Sequence, residues 1–400
     1  MKKERLEAFQ WNKTKAMLEH AYATVPYYTK LFDQAKIKPQ DIKTRADMHK
    51  IPITTKKDLL SLKKEDIVSS LYLHKQLEVV STSGTTGVPF KKYVPLETTN
   101  IAHATKLRKF VMNSYKLTWK IGSFTHFYPT KKKWFHSLRL HRMINIFAKD
   151  SLQQQIDLLA KKNPEFFSTM PSRLVELAKY AREHQIVLTR PQAILCDSET
   201  LTPHDRKLIE DSWHVNPSSS YESREFPNIA CECPAHKGFH VDMDLVLLET
   251  KNGKLKGSAI ITDLTNKAMP LIRYEIGDVI EFSHNPCSCG RNTQMLKEVA
   301  GRTNDFFVLP SGKKIAGAYA ITKKLYECHA VQQFRVHQHK DKSLEVFIVK
   351  KEGETIPAKE IIKDIKTENE NIAVKITYVD DLPPLPSVKR QYFTTDLRFD

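Results

Sequence analysis

Residues 81 to 89 read Ser81-Thr82-Ser83-Gly84-Thr85-Thr86-Gly87-Val88-Pro89. Glycines let such a loop curve tightly and expose consecutive N–H groups, and the hydroxyls add donors that can meet phosphoryl oxygens. A loop of this kind can cradle the phosphates of ATP while negative charge shifts on them. It is not the G-x-x-x-x-G-K-[ST] nucleotide loop. Composition alone leaves an ordinary Ser/Thr/Gly turn as the alternative.

A second set of chemistry-bearing residues is the cysteines: Cys196, Cys231, Cys233, Cys287, Cys289 and Cys328. Four of them form two tight C-x-C pairs, 231/233 and 287/289. That spacing suits a metal site in a reducing compartment better than a secreted disulfide framework. Thiolates and neutral imidazole, four to a closed site, are the usual structural ligands of Zn2+. His236 and His240 follow the first pair closely. A buried redox pair, or plain free thiols, is the competing reading.

These residues need elements to hold them. Leu77, Val79 and Val80 predict a short strand entering the Ser/Thr/Gly loop, and a helix is expected from about Glu97 with Ile101, Ala104, Leu107 and Phe110 on one face. Residues 1–30 predict amphipathic helices interrupted near Val25-Pro26, and TTKKDLLSLKKED predicts a further helix capped by Thr54 or Thr55. Helical SLQQQIDLLAKK, PSRLVELAKYAREH and PHDRKLIEDSW alternate with strand-like QAILCDSE, the pattern of an α/β domain. Farther on, HVDMDLVLLET, KGSAIITDL and MPLIRYEIGDVIEF are β-rich and predict an appended sheet or small barrel. Residues 306–400 alternate strands and helices as a small α+β domain. The expected division is therefore 1–300, a connection at 301–305, and 306–400.

At 400 residues the chain is long enough for more than one core, since domains average roughly 150 residues. Hydrophobic residues at 40% and charged residues at 27%, with few glycines, exclude collagen-like and broadly disordered classes. The formal charge of +17 attracts anions, nucleotides and CoA included, without choosing among them. No aromatic-rich recognition module converts it into specific nucleic-acid binding. No apolar run predicts a signal peptide or a transmembrane insertion, so a cytoplasmic protein is expected.

With the loop, the upstream AYATVPYYTKLF and IPITTKKDLL, and the later motifs in order, the chain resembles the adenylate-forming superfamily and most closely its phenylacetate–CoA ligase-like branch. The resemblance runs along nearly the whole chain. It implies a large multi-subdomain α/β N-terminal domain and a small mobile α+β lid. It also implies that residues 81–87 hold ATP phosphates. In Tyr221-Glu222-Ser223-Arg224-Glu225, Tyr221 would contact the nucleotide and Glu225 would organise Mg2+ or phosphate. Glu222 and Arg224 depart from the family's common Gly and Thr, and Arg224 could offer its donor fork to phosphate or carboxylate. Asp278 matches the ribose-holding aspartate, Arg302 the arginine near the ribose, and Asp305 the hinge position. Lys389 matches the catalytic lysine, although Val388 replaces the usual preceding Gly. For zinc, Cys233 and His240 fall on a family E-C…G-x-H segment, and Cys287 and Cys289 on C-x-C-G-R. Cys231 or His236 could substitute for one of them.

The implied chemistry is attack of a small carboxylic acid on the α-phosphorus of ATP, release of pyrophosphate, and passage of the acyl group to CoA. A phosphopantetheinyl carrier protein or another biosynthetic nucleophile is the alternative acceptor. A noncatalytic nucleotide-binding regulator is the alternative class, motivated by Glu222, Arg224 and Val388. A homodimer is compatible with this reading. Residues 123–130, 198–200 and 218–221 are candidates for the acyl pocket.

Overall fold

The computed structural model describes residues 2–81, 90–125, 140–302, 306–316, 324–325, 328, 330–382 and 393–397. The chain separates into two compact units. One comprises residues 1–82, 89–276 and 281–298, and the other 83–88, 277–280 and 299–400.

The N-terminal preface folds as expected, with helices Lys3–Thr24 and Pro26–Gln34 broken at an extended Val25. Pro26 cannot donate an N–H to a preceding turn, so it starts the second helix instead of continuing the first. Leu18, Ala21, Tyr28 and Phe32 bury against Leu247 and Ile272. The Tyr28 hydroxyl also donates to the Pro270 carbonyl at 3.1 Å and accepts from the Ile272 N–H at 2.8 Å. The next expected helix is two short ones, Lys56–Leu60 and Lys64–Ile67. Thr55 is the cap, its hydroxyl accepting from the Asp58 N–H, and the carboxylate of Asp66 accepts from the Lys63 N–H to start a second helix after the break. Thr54 instead bridges to Tyr274.

The main sheet has eleven strands. From one edge they are Val246–Thr250, Lys256–Asp263, Tyr274–Ser283, Met295–Arg302, Phe239–Val241, Ala230–Glu232, Ser218–Tyr221, Ala193–Cys196, Phe166–Thr169, Lys120–Thr125 and Arg142–Phe147. The last five run parallel. Their links use helices Leu152–Lys162, Pro171–Glu183 and Pro203–Trp213, the segments the periodicity predicts. Side chains from these helices pack with Phe167, Ile194 and Trp213 into one core.

The β-rich region is joined to the parallel strands through one shared strand. Ser218–Tyr221 pairs parallel with Ala193–Cys196 on one side and antiparallel with Ala230–Glu232 on the other, so the two halves are continuous. Arg206 pins this junction. Its guanidinium grips both carboxylate oxygens of Glu232 at 2.8 and 2.9 Å, and Glu232 also accepts the Ser219 N–H at 2.8 Å.

In the other unit, Val331–Gln338 and Leu344–Lys350 form an antiparallel hairpin. Val374–Tyr378 adds parallel to Leu344–Lys350 after helix Ala358–Glu368, and Phe393–Thr395 adds parallel to Val331–Gln338. Apolar residues of the hairpin and helix, with Phe307 and Phe393, close the core. Buried Gln338 exchanges two hydrogen bonds with the backbone of Val308, at 2.8 and 2.9 Å.

Candidate functional site

The expected helix after the loop spans Leu96–Met112, but its buried face is not the apolar one. Ile101 is 40% exposed, whereas Thr98, Thr105, Lys109 and Phe110 are buried. The face turns toward polar groups at the carboxyl ends of the parallel strands, where ligands commonly bind in open α/β sheets. Lys109 is 2% exposed; its ammonium donates to Ser220 Oγ at 3.1 Å and lies 3.9 Å from Glu222 and 3.8 Å from Asp242. Asp197, one residue past the strand Ala193–Cys196, accepts from the hydroxyls of Ser168 at 3.2 Å and Ser198 at 3.1 Å. Burial, and next the charge of Asp197, raise the Glu222 carboxyl above its ordinary value, against the pull of Lys109.

Thus Glu222, a departure from the family pattern, stands within a charged cluster with Lys109 and Asp197. Sequence reasoning passed over Lys109, Asp197 and Asp242. The signal for Lys109 was weak, because a lysine in an amphipathic helix is ordinarily a solvated charge. Tyr221 and Glu225 are buried on the same stretch and Arg224 is exposed. Beside them lies a buried ion pair. Lys92 Nζ is 2.8 Å from Asp263 Oδ2, with side chains 4% and 6% exposed, and donates as well to the Glu225 carbonyl. Lys92 belongs to the strand Lys91–Val94, which pairs with Glu78–Ser81 and so frames the two ends of the Ser/Thr/Gly loop.

Of the loop itself only Ser81 is described; Thr82, Ser83, Gly84, Thr85, Thr86 and Gly87 lie outside the described residues, as do Asp305 and Lys389. Asp278 is buried, on the strand Tyr274–Ser283, and Arg302 ends the strand Met295–Arg302.

The cysteine-rich region brings four expected donors together. Cys233 Sγ, His240, Cys287 Sγ and Cys289 Sγ offer ligand atoms all within 4.8 Å of one another. Cys233 and Cys287 sulfurs are 3.7 Å apart, and Cys289 Sγ is 3.2 Å from His240 Nε2. The other ring nitrogen of His240 meets Thr293 Oγ1 at 2.9 Å, which orients the ring as an outer partner does for a metal-bound histidine. Burial, then the charge of Arg291, lowers the His240 imidazole to about 4, so it is neutral near pH 7. Burial opposes ionisation of Cys289, but hydrogen bonds from Arg291 and from the neighbouring thiols outweigh it and bring that thiol to about 7.

Gly238 makes this arrangement possible. It has φ +121, and a Cβ there would lie 2.2 Å from the Leu296 carbonyl oxygen. Only glycine lets Phe239–Val241 approach Met295–Arg302 so closely. The two substitutes stay outside the group. Cys231 is buried beside Asn113 Nδ2 at 3.6 Å, and burial pushes its thiol up to about 12. His236 faces Arg206 at 3.3 Å. Three thiols and one imidazole in this spacing suit a closed Zn2+ site by donor chemistry.

No family model matches the chain. It is 26% identical over 341 residues to a phenylacetate–coenzyme A ligase of Thermus thermophilus, spanning 77% of this chain and 72% of that one. A phenylacetate–coenzyme A ligase of Escherichia coli is 25% identical over 76% of this chain and 73% of its own. In fold, the chain is similar to a crystal structure of 2-hydroxyisobutyryl-CoA ligase in the postadenylation state, with TM-score 0.78, 18% identity, and coverage of 98% of this chain and 90% of that one. The chain is thus similar in sequence to phenylacetate–CoA ligases along about three quarters of its length, and it shares the fold of the 2-hydroxyisobutyryl-CoA ligase.

Proposed function

We propose that this protein is an acyl-adenylate-forming ligase that uses ATP to activate a small organic carboxylic acid and then passes the acyl group to the thiol of CoA. The observation that carries this reading is the likeness to phenylacetate–CoA ligases along 77% of the chain, with the family's motifs in order. A carboxylate oxygen attacks the α-phosphorus, the bond to the β-phosphate oxygen breaks, and pyrophosphate leaves. The thiolate then attacks the acyl carbonyl and AMP departs.

In this reading residues 81–87 bind the phosphates, Tyr221 and Arg224 contact nucleotide or substrate, and Asp278 and Arg302 hold the ribose. Lys389 places a cation on the carboxylate and phosphate oxygens as charge develops. Asp305, within a 301–305 hinge joining 1–300 to 306–400, lets Lys389 withdraw before thiol attack. The carboxylate of Glu225 is a hard oxygen donor fitted to Mg2+, which when bound would neutralise phosphate charge. Cys233, His240, Cys287 and Cys289 hold Zn2+ as a structural brace, because four protein donors leave no open position for chemistry. Among the described residues no helix is long and apolar enough to cross a membrane. Thiolate ligands suit the reducing interior of a cell.

The test is ATP–pyrophosphate exchange over a panel of small carboxylic acids, followed by mass analysis of products with CoA or with carrier protein. At least one acid should drive exchange, and Lys389→Ala should slow it at least about a hundredfold while ATP still binds. ATP binding without exchange for any acid would defeat the enzymatic reading. A product found only on carrier protein would replace CoA as the acceptor.

A further inference from the structure

A second group of metal-ligating side chains lies away from the cysteines, in the C-terminal unit. His337 ends the strand face on Val331–Gln338, and His339 follows two residues on, so both imidazoles project from one face. Asp396 comes directly after Phe393–Thr395, the strand that pairs parallel with the first through Val336↔Phe393, His337↔Thr394 and Gln338↔Thr395. The three donor atoms lie within 4.8 Å of one another. His337 Nε2 is 3.3 Å from Asp396 Oδ2, and His339 Nδ1 is 3.8 Å from the same oxygen. Two donors each bound at the usual zinc distance to a tetrahedral ion stand about 3.3 Å apart.

The outer contacts also have the form of a ligand sphere. His337 Nδ1 meets Thr394 Oγ1 at 2.8 Å, which turns Nε2 inward. His339 Nε2 meets Glu345 Oε2 at 3.3 Å, which turns Nδ1 inward. Glu345 is itself held by Thr377 Oγ1 at 2.6 Å and Lys375 Nζ at 3.1 Å. Each imidazole therefore offers one nitrogen to the shared space while a polar neighbour occupies the other. His337, His339 and Asp396 remain partly or largely exposed, so an ion would have an entry path and open positions for water.

We propose that His337, His339 and Asp396 form a binding site for a divalent transition ion of the Zn2+, Co2+ or Ni2+ class. Two imidazoles select such ions over Mg2+ or Ca2+, which prefer all-oxygen sets. The ion cross-links a three-residue edge strand to the hairpin beside it. That strand begins four positions after Lys389 in the sequence.

The experiment is Co2+ and Zn2+ titration of the full, untagged chain, alongside His337→Ala, Asp396→Asn and Cys233→Ser/Cys287→Ser variants. Wild type should bind one ion more than His337→Ala. The cysteine variant should still bind Co2+ with weak visible bands and no thiolate charge-transfer absorption. Thr394→Val should weaken this site about tenfold through loss of its outer hydrogen bond. Added Zn2+ should raise the thermal midpoint of the cysteine variant but not of the same variant carrying His337→Ala. Circular dichroism guards against misfolding. Equal metal content and affinity in wild type, His337→Ala and Asp396→Asn would overturn the proposal, as would absence of Co2+ binding in the folded cysteine variant. Retention of the thiolate absorption in His337→Ala would support it, by showing that the two sites are separate.

Discussion

Replacing Lys92 by Met tests whether the buried pair beside the Ser/Thr/Gly loop is held by electrostatics. The substitution keeps most of the chain length of the lysine and removes its charge. Asp263 then remains buried with the N–H groups of Thr265 at 2.8 Å and Asn266 at 3.2 Å and the Thr265 hydroxyl at 2.7 Å. Removing one partner of a buried pair costs about 3–5 kcal/mol, and these remaining donors favour the lower end. The Glu225 carbonyl loses its ammonium donor as well, adding about 1 kcal/mol. The expected loss is therefore about 4 kcal/mol. Urea unfolding read by tryptophan fluorescence measures it in the N-terminal unit, because Trp11, Trp119, Trp134 and Trp213 all precede residue 277.

In an Asp263→Asn background the same change orphans no charge and should cost about 2 kcal/mol less. The pH dependence has a definite sign. Burial alone would raise the Asp263 carboxyl, but the charge and hydrogen bond of Lys92 and the donors of Thr265 hold it below its ordinary value. Stability from a depressed carboxyl is fully present above its unfolded value of about 3.9 and lost as pH falls through the lower folded value. In Lys92→Met that depression is relieved, so the gap to wild type should narrow below about pH 4. A loss under about 1 kcal/mol at pH 7, or an equal loss in both backgrounds, would refute the reasoning.

Cys287→Ser should empty the cysteine-rich site and lower the urea midpoint, whereas Cys231→Ser should keep the metal; elemental analysis of metal-replete protein decides. Gly238→Ala forces a Cβ against the Leu296 carbonyl in a left-handed conformation, and should cost about 2–3 kcal/mol and reduce zinc content; a stable variant with full zinc would contradict the steric argument. Glu222 has a folded pKa raised by burial and by Asp197, so its contribution to stability should fall as pH rises from about 4.3 toward that raised value. Glu222→Gln should lack this fall, and stability–pH curves that superimpose would remove Glu222 from the charged cluster.

Much of the architecture is legible in the chain because its signals are local. Hydrophobic periodicity and caps mark the helices Leu152–Lys162, Pro171–Glu183 and Pro203–Trp213, and Pro26 marks the break in the preface. The C-x-C spacing and nearby histidines point to a metal site for the same reason, since ligand chemistry is carried by residue type. The motif order carries the resemblance to adenylate-forming enzymes, because those residues stand in the printed chain in that order. What the chain alone leaves undecided depends on contacts between residues far apart in sequence. That the β-rich region continues the parallel sheet follows from Ser218–Tyr221 pairing on both edges, and strand pairing has no local code. Which thiol joins His240 depends on a turn more than forty residues away, and tertiary packing sends Cys231 to Asn113 instead. Helix Leu96–Met112 turns Lys109 inward and Ile101 outward because a buried cation can be stabilised by Ser220, Glu222 and Asp242, partners that helical periodicity does not contain.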